Sequence, residues 1–88
     1  MRCVTIDCTP MTDPDQVHDL FAAALEFPEW YGRNLDALYD LLSTCPPTRL
    51  TLTNASAIDG MFRYGDNLKL AIEDAQKDNP HLTVIFEP

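Results

Sequence analysis

The sequence is short of basic residues, of glycine and of long hydrophobic runs, and each shortage disfavours a class of protein. Six lysines and arginines stand against 14 aspartates and glutamates, and the resulting net charge of −8 repels nucleic acids and anionic lipids. The longest unbroken apolar run, residues 20–25, is far shorter than the ~20 residues needed to cross a bilayer. The three glycines have no phosphate-binding spacing. We therefore expect no direct binding of nucleic acid, membrane or nucleotide.

Cysteine and histidine are also scarce, and their spacing predicts neither a metal site nor a cofactor. Cys3, Cys8 and Cys45 contain no C-x-x-C pair, and an odd number of cysteines cannot all close into disulfides. They are expected to be small buried or half-buried hydrophobic residues. His18 and His81 fall on different predicted elements and are interpreted as surface or packing residues. The N-terminus lacks the apolar core of a signal peptide, so we expect a reducing, cytoplasmic location.

The length and composition predict one globular domain over residues 1–88, with 45% hydrophobic and 23% charged residues. Apolar spacing predicts a strand over residues 3–7, followed by a helix from Pro14 with Thr12 or Asp13 as its cap and a second helix from Asn34 to Ser43. A second strand is predicted around Leu50 and Leu52. Two further helices follow it, and a third strand is predicted over residues 82–86. Strands joined by helical crossovers pair in parallel. The predicted fold is therefore α/β, a small three-stranded parallel sheet covered by about four helices.

The two helices in the second half of the chain are predicted from one cap and one breaker. Ser56 is expected to cap a brief helix that carries Ile58, Met61 and Phe62. Gly65 is expected to end that helix, and a fourth helix follows from about Asp66 to Asp78.

The second predicted helix carries acidic residues that folding does not require. With Leu35, Leu38 and Leu42 facing the core, the opposite face holds Asp36, Tyr39, Asp40 and Ser43. Two aspartates four residues apart cost a helix about 0.2–0.5 kcal/mol. Asp36 is partly explained by the helix dipole, whereas Asp40 in mid-helix is not. We interpret Asp40 as a binding residue, with a plain solvated face as the alternative.

The loop before this helix carries an aromatic pair, Trp30 and Tyr31, within an acidic third of the chain. Seven acidic residues lie between positions 13 and 40, opposed only by Arg33. Trp30 is either a packing residue or an exposed contact residue. Aromatic residues surrounded by acids are typical of an interface for a basic partner.

Residues 27–43, with the sequence Phe-Pro-Glu-Trp-Tyr-Gly-Arg-Asn-Leu-Asp-Ala-Leu-Tyr-Asp-Leu-Leu-Ser, resemble the signature segment of the barstar family of intracellular ribonuclease inhibitors. The rest of the chain agrees with that family in the order of its elements, and only the middle region looks shortened. The resemblance implies a compact α/β inhibitor, monomeric when free, that plugs the active site of a small secreted basic ribonuclease. The implied partner is a barnase-like secreted or toxin ribonuclease.

The resemblance also implies roles for individual residues. Asp40 would enter the phosphate-binding pocket of the ribonuclease, and Asp36 would pair with a neighbouring cation. Further contacts would come from Trp30, Tyr39, Ser43 and Asp74. Tyr39 stands where the family commonly has tryptophan. A helix that offers carboxylates at phosphate-like spacing would satisfy the cations of the active site while its bulk excludes RNA.

Two other interpretations of the acidic helix remain. A catalytic pair of carboxylates needs environments that separate the two pKa values, whereas Asp36 and Asp40 are expected on one exposed convex face, so we do not predict an enzyme. A binding module of the same fold with a different target, such as another basic toxin or a regulatory protein, stays open because a fold does not fix the partner.

Overall fold

The helices and strands follow the order expected from the sequence. The computed structural model describes residues 1–88, and its elements are β1 (Arg2–Asp7), α1 (Pro14–Leu25), α2 (Leu35–Ser43), β2 (Thr48–Thr53), α3 (Ser56–Asp59), α4 (Arg63–Asp78) and β3 (Leu82–Phe86). The three strands form one parallel sheet in the order β1-β2-β3. The predicted α/β fold, with a three-stranded parallel sheet and four helices, is confirmed.

The sheet is covered by helices on one face only. Side chains alternate across a strand, and one set, including Ile6, Leu50 and Leu82, is buried. The other set is largely open to solvent, with Thr5 and Arg49 both exposed. Because parallel sheets are usually covered on both faces, the open face is an unusual feature of this fold.

The core lies between the covered face of the sheet and the helices. Phe21 of α1, Leu38 of α2 and Ile72 of α4 are fully buried in one cluster that reaches every layer. Among the helices, α2 packs most extensively against α4. No helix combines the length and apolar character needed to cross a membrane.

The first helix begins at the cap that the sequence offers. The Asp13 side chain accepts a hydrogen bond from the Gln16 backbone N–H at 3.0 Å, and Pro14 occupies the first helical position. The helix ends at Leu25 because Glu26 adopts the left-handed conformation, with φ of 56°, shortly before Pro28.

The predictions for α3 and for the start of α4 are wrong. Ser56 is the first residue of α3 and not its cap, since Ala55 takes that position without a side-chain hydrogen bond. The chain reverses at Phe62, which has φ of 55°, is 81% exposed and lies outside α3. Gly65 does not end a helix, because α4 has already begun at Arg63.

Gly65 is required by close approach. A Cβ at this position would overlap the carbonyl oxygen of Ile58, so only glycine lets the first turn of α4 lie against the backbone of α3. Glycine is therefore needed at position 65, but because two helices are in contact there and not because a helix ends.

The cysteines are all free, and one of them departs from expectation. Cys8 is buried, and burial raises the pKa of its thiol to about 11. Cys45 is half-buried. Cys3, expected to be buried or half-buried, is exposed because it lies on the open face of β1.

Replacing Gly65 with alanine tests this close approach. We expect Gly65→Ala to lower the free energy of unfolding by about 2–3 kcal/mol, because α4 must move away from Ile58. Urea denaturation followed by circular dichroism measures the change. The matched control is Gly60→Ala, where the new Cβ meets only the Ala57 carbonyl at 3.3 Å and the change should stay below about 1 kcal/mol. Equal losses in the two variants would contradict the explanation.

Candidate functional site

The helix α2 is fixed at its N-terminus by the cap predicted from the sequence. The Asn34 side-chain oxygen accepts a hydrogen bond from the Ala37 N–H at 2.8 Å, and its amide group donates to the Gly32 carbonyl at 3.2 Å. Leu38 and Leu42 are fully buried, and Leu35 is half-buried. The core-facing stripe is therefore as expected, and the acidic face points outward.

The C-terminus of α2 is held by a buried asparagine that precedes β3. The Asn79 amide donates to the Leu42 carbonyl at 2.9 Å and to the Cys45 carbonyl at 3.2 Å, and its oxygen accepts from the His81 N–H. Carbonyls at a helix end have no intrahelical partner, so these bonds satisfy groups that burial would otherwise penalise. Both ends of α2 are thus fixed by uncharged amide groups.

A shallow groove of about 360 Å³ runs beside α2. Trp30, Asp40 and Ser43 all line it, and Tyr31 and Leu41 contribute its apolar part. Trp30 is 77% exposed, which resolves the alternatives for this residue in favour of an exposed side chain. The structure therefore brings three of the six predicted site residues together around one concave surface.

The side chain of Asp40 has no hydrogen bond or ion pair within the chain. Its backbone carbonyl, by contrast, accepts from the Ser43 hydroxyl at 3.0 Å and from the Thr44 hydroxyl at 2.9 Å. The last turn of α2 is thus tied down around Asp40 while the carboxylate stays exposed. Asp36 is also exposed, in the first turn of α2, and does not line the groove.

The surroundings of Ser43, Tyr39 and Asp74 differ. Ser43 is half-buried, and its hydroxyl proton is used within α2, which leaves its oxygen free to accept. Tyr39 is half-buried and turns towards α4, where its hydroxyl donates to the Asp78 carboxylate. Asp74 is exposed on α4.

Carboxylates from α2 and α4 surround Tyr39. The pKa of Tyr39 is raised above its ordinary value, chiefly by the hydrogen bond to Asp78. Partial burial and the negative charges of Asp78, Asp74 and Asp40 add to this shift. Tyr39 therefore keeps its proton and acts as a donor to Asp78. Sequence reasoning missed Asp78, although Asp74 and Asp78 repeat on α4 the four-residue spacing of Asp36 and Asp40 on α2.

We call these four carboxylates, Asp36, Asp40, Asp74 and Asp78, the acidic face. None of them lies within 4 Å of a basic group, whereas the chain does form ion pairs elsewhere. Arg33 pairs with Asp19 at 2.8 Å and, more distantly, with Asp15, and Lys69 pairs with Asp59. The acidic face is therefore a group of four carboxylates without an ion pair, suited to cationic groups from outside.

A buried histidine holds the aromatic loop in place. The two ring nitrogens of His18 lie 2.6 Å from the Tyr31 hydroxyl and 2.7 Å from the Tyr64 hydroxyl, and His18 is 2% exposed. Burial, and then the charge of Arg33, lowers the pKa of His18, while Asp15 and Asp19 oppose the shift. Burial also raises the pKa of Tyr31 to about 12. The network is therefore neutral, and it links α1, the loop before α2 and α4.

The chemistry available to the site is that of an acceptor surface. Exposed carboxylates accept charge-assisted hydrogen bonds from arginine, lysine or protonated histidine, and Trp30 offers an aromatic face to a cation. No group of three histidine, cysteine, aspartate or glutamate side chains has the geometry to hold a metal ion.

Comparison with known proteins gives consistent matches. A family model described as "Barstar (barnase inhibitor)" matches residues 1–86. A protein of Bacillus subtilis (strain 168), named "Putative ribonuclease inhibitor YrdF", is 35% identical over 81 residues, which cover 89% of each chain.

The neutral state of His18 predicts how stability depends on pH. Its pKa is lower in the folded protein than the ordinary value of about 6.5, so the unfolded chain binds the proton first as the pH falls. The stability contributed by neutral His18 is complete above that value and is lost as the pH falls through the folded-state pKa. The slope from this one proton cannot exceed about 1.4 kcal/mol per pH unit.

Urea denaturation over a series of pH values measures this effect. We expect His18→Gln, which keeps a donor and an acceptor, to lose less stability than the wild-type protein as the pH falls below neutrality. The control His81→Gln changes an exposed histidine and should follow the wild-type curve. Parallel curves for His18→Gln and wild type would refute the assignment.

Proposed function

The chain belongs to the barstar family, and on that basis we propose that it is a protein inhibitor of a ribonuclease and not an enzyme. The observation that carries this proposal is that Asp40 and Trp30, both exposed, line one groove at the edge of an uncompensated acidic face. The expected role of a ribonuclease inhibitor agrees with the names given to the family and to its Bacillus relative.

Inhibition would proceed by occlusion and charge complementarity, without covalent chemistry. A ribonuclease active site holds cationic side chains around the scissile phosphate, and the acidic face offers those cations carboxylates in place of the substrate. Because α2 is held at both ends by Asn34 and Asn79, Asp40 is presented with little conformational entropy left to lose. RNA is then excluded by the bulk of the inhibitor.

Within this mechanism, Asp40 is assigned to the phosphate-binding pocket of the ribonuclease and Asp36 to a neighbouring cation. Trp30 and Ser43 contribute groove contacts, Ser43 as an acceptor. Tyr39 has its hydroxyl proton engaged by Asp78, so it contributes its ring and fixes Asp78 in place. Asp74 and Asp78 extend the acidic face across α4.

The partner we propose is a barnase-like, basic, secreted ribonuclease, and the biological role is protection of the producing cell in the cytoplasm before export. The net charge of −8 supports a basic partner, since it accelerates encounter with a cationic protein. A different basic toxin with the same surface chemistry is the alternative, and inhibition of barnase distinguishes the two. No inhibition of barnase by a micromolar excess of this protein would overturn the barnase-like assignment.

Asp40 should dominate binding. We expect Asp40→Ala to weaken barnase binding by about 2–5 kcal/mol, a range that itself rests partly on the barnase–barstar pair of this family. Asp15→Ala removes the same charge from an exposed residue of α1 outside the acidic face and should change binding far less. Titration calorimetry compares the two variants, and equal losses would count against the role of Asp40.

The same substitution should leave the fold intact. The Asp40 carboxylate makes no bond within the chain, and alanine both favours the helix and removes the repulsion from Asp36. We therefore expect Asp40→Ala to be slightly more stable than the wild type, by less than about 1 kcal/mol. A loss of stability in urea denaturation would show that Asp40 serves the fold.

Salt tests the electrostatic mechanism separately. Exposed charges are screened over about 8 Å at physiological ionic strength, so the association rate with barnase should fall as salt rises, while the dissociation rate changes much less. Stopped-flow fluorescence of Trp30, the single tryptophan of the chain, follows the association against a barnase variant without tryptophan. An association rate that is independent of salt would contradict steering by the acidic face.

A further inference from the structure

The outer edge of β1 is unpaired. β1 lies at one side of the sheet, and the N–H groups of Arg2 and Cys8 point towards β2, where they bond to the carbonyls of Pro47 and Thr53. Because the backbone groups of successive residues point to opposite edges, those of Cys3, Thr5 and Asp7 point away from the sheet. No hydrogen bond in the chain uses them.

The opposite edge of the same sheet, formed by β3, is partly covered by a side chain. The N–H of Val84, on the outer edge of β3, donates to the side-chain oxygen of Gln76 in α4. A side chain thus occupies the middle of the β3 edge, as is common where proteins prevent unwanted pairing. β1 carries no proline, no bulge and no covering side chain on its edge.

An open groove of about 360 Å³ lies beside the β1 edge. Thr5 and Asp7 form its strand side, and Leu20, Ala23 and Ala24 of α1 form its helix side. Ala23 is exposed, and the two alanines leave room for a neighbouring backbone or helix to approach. The groove shares no residue with the one beside Trp30.

We propose that a second copy of this chain pairs with β1 in antiparallel orientation, with Thr5 of each copy on a two-fold axis, and so forms a continuous six-stranded sheet. Thr5 is the middle of the three outward residues. Pairing centred on it places Cys3 of one copy opposite Asp7 of the other, and every outward N–H and carbonyl of the three residues finds a partner. The proposal departs from the monomer expected from the sequence.

Charge complementarity favours a second copy as the occupant. Arg49 is exposed on the open face, makes no ion pair and is the register partner of Cys3. In the proposed pairing, Asp7 of the second copy lies opposite Cys3, on the same face of the sheet as Cys3 and Arg49. Two strand spacings then separate the Cα atoms of Arg49 and Asp7 by about 10 Å. An extended arginine reaches across the small Cys3 side chain to that carboxylate.

Asp7 has an oxygen available for this contact. One carboxylate oxygen accepts from the Thr9 N–H at 2.9 Å, the Thr9 hydroxyl at 2.7 Å and the Asn54 amide at 3.0 Å, and the other has no partner. The two-fold axis makes the Arg49–Asp7 contact twice. The net charge of −8 on each copy opposes association, but salt screens this repulsion beyond about 8 Å.

Sedimentation equilibrium of the full chain at physiological ionic strength tests the proposal. The weight-average mass of the wild-type protein should rise towards that of a dimer as its concentration increases to the millimolar range. Thr5→Pro removes only the outward N–H of an edge strand, a place where proline is tolerated, and should stay monomeric. Circular dichroism checks that the variant is folded. A wild-type protein that remains monomeric, or a folded Thr5→Pro variant that still dimerises, would overturn the proposal.

Two further measurements identify the contact itself. Arg49→Glu should weaken the dimer about tenfold relative to Arg63→Glu, which makes the same charge change at an exposed position in α4 without an ion pair. Hydrogen exchange of the wild-type protein should slow at Thr5 and Asp7 as concentration rises. Equal effects of the two charge variants, or protection of these amides only when barnase is added, would refute the second copy as the occupant.

Discussion

The acidic face depends on the way α2 is fixed to the rest of the molecule without using charge. Carboxylates on a mobile element would collect whatever lysine or arginine lay within reach, and the surface would then be neutralised internally. Here, Leu38 and Leu42 bury one side of α2, and Asn34 and Asn79 satisfy its two ends with amide groups. Because the helix needs no ion pair to stay in place, Asp36 and Asp40 remain free for a partner.

The loop that carries Trp30 and Tyr31 is likewise fixed by residues other than the one it exposes. Trp30 is presented to solvent, while the next residue, Tyr31, is buried and bonded to His18. A neutral histidine between two tyrosine hydroxyls provides one donor and one acceptor, so the buried polar groups are all satisfied. The loop is thus attached to α1 and α4 by bonds that add no positive charge near the groove.

Much of this arrangement follows from local pattern in the sequence, and the exceptions share a physical cause. The limits of α2, its cap at Asn34 and the outward position of Asp40 follow from helical spacing and capping chemistry. Gly65 and Asp78 were misread or missed because each acts through contact with another helix, with Ile58 in one case and Tyr39 in the other. Helical periodicity reports which face of an element is apolar, but it does not report which other element lies against it.

The positions of the bases, and not only the number of acids, decide where the protein is negative. Arg33 is held by Asp15 and Asp19 of α1, Lys69 by Asp59, and Arg49 lies on the open face of the sheet. None of these three bases lies within 4 Å of a carboxylate of the acidic face. A surface with the same acids and one base placed between Asp40 and Asp78 would have a similar net charge but a neutralised centre. Because no base pairs with these four carboxylates within 4 Å, their charge stays available to a partner, and the poor helix propensity of Asp40 in mid-helix is accounted for by binding and not by folding.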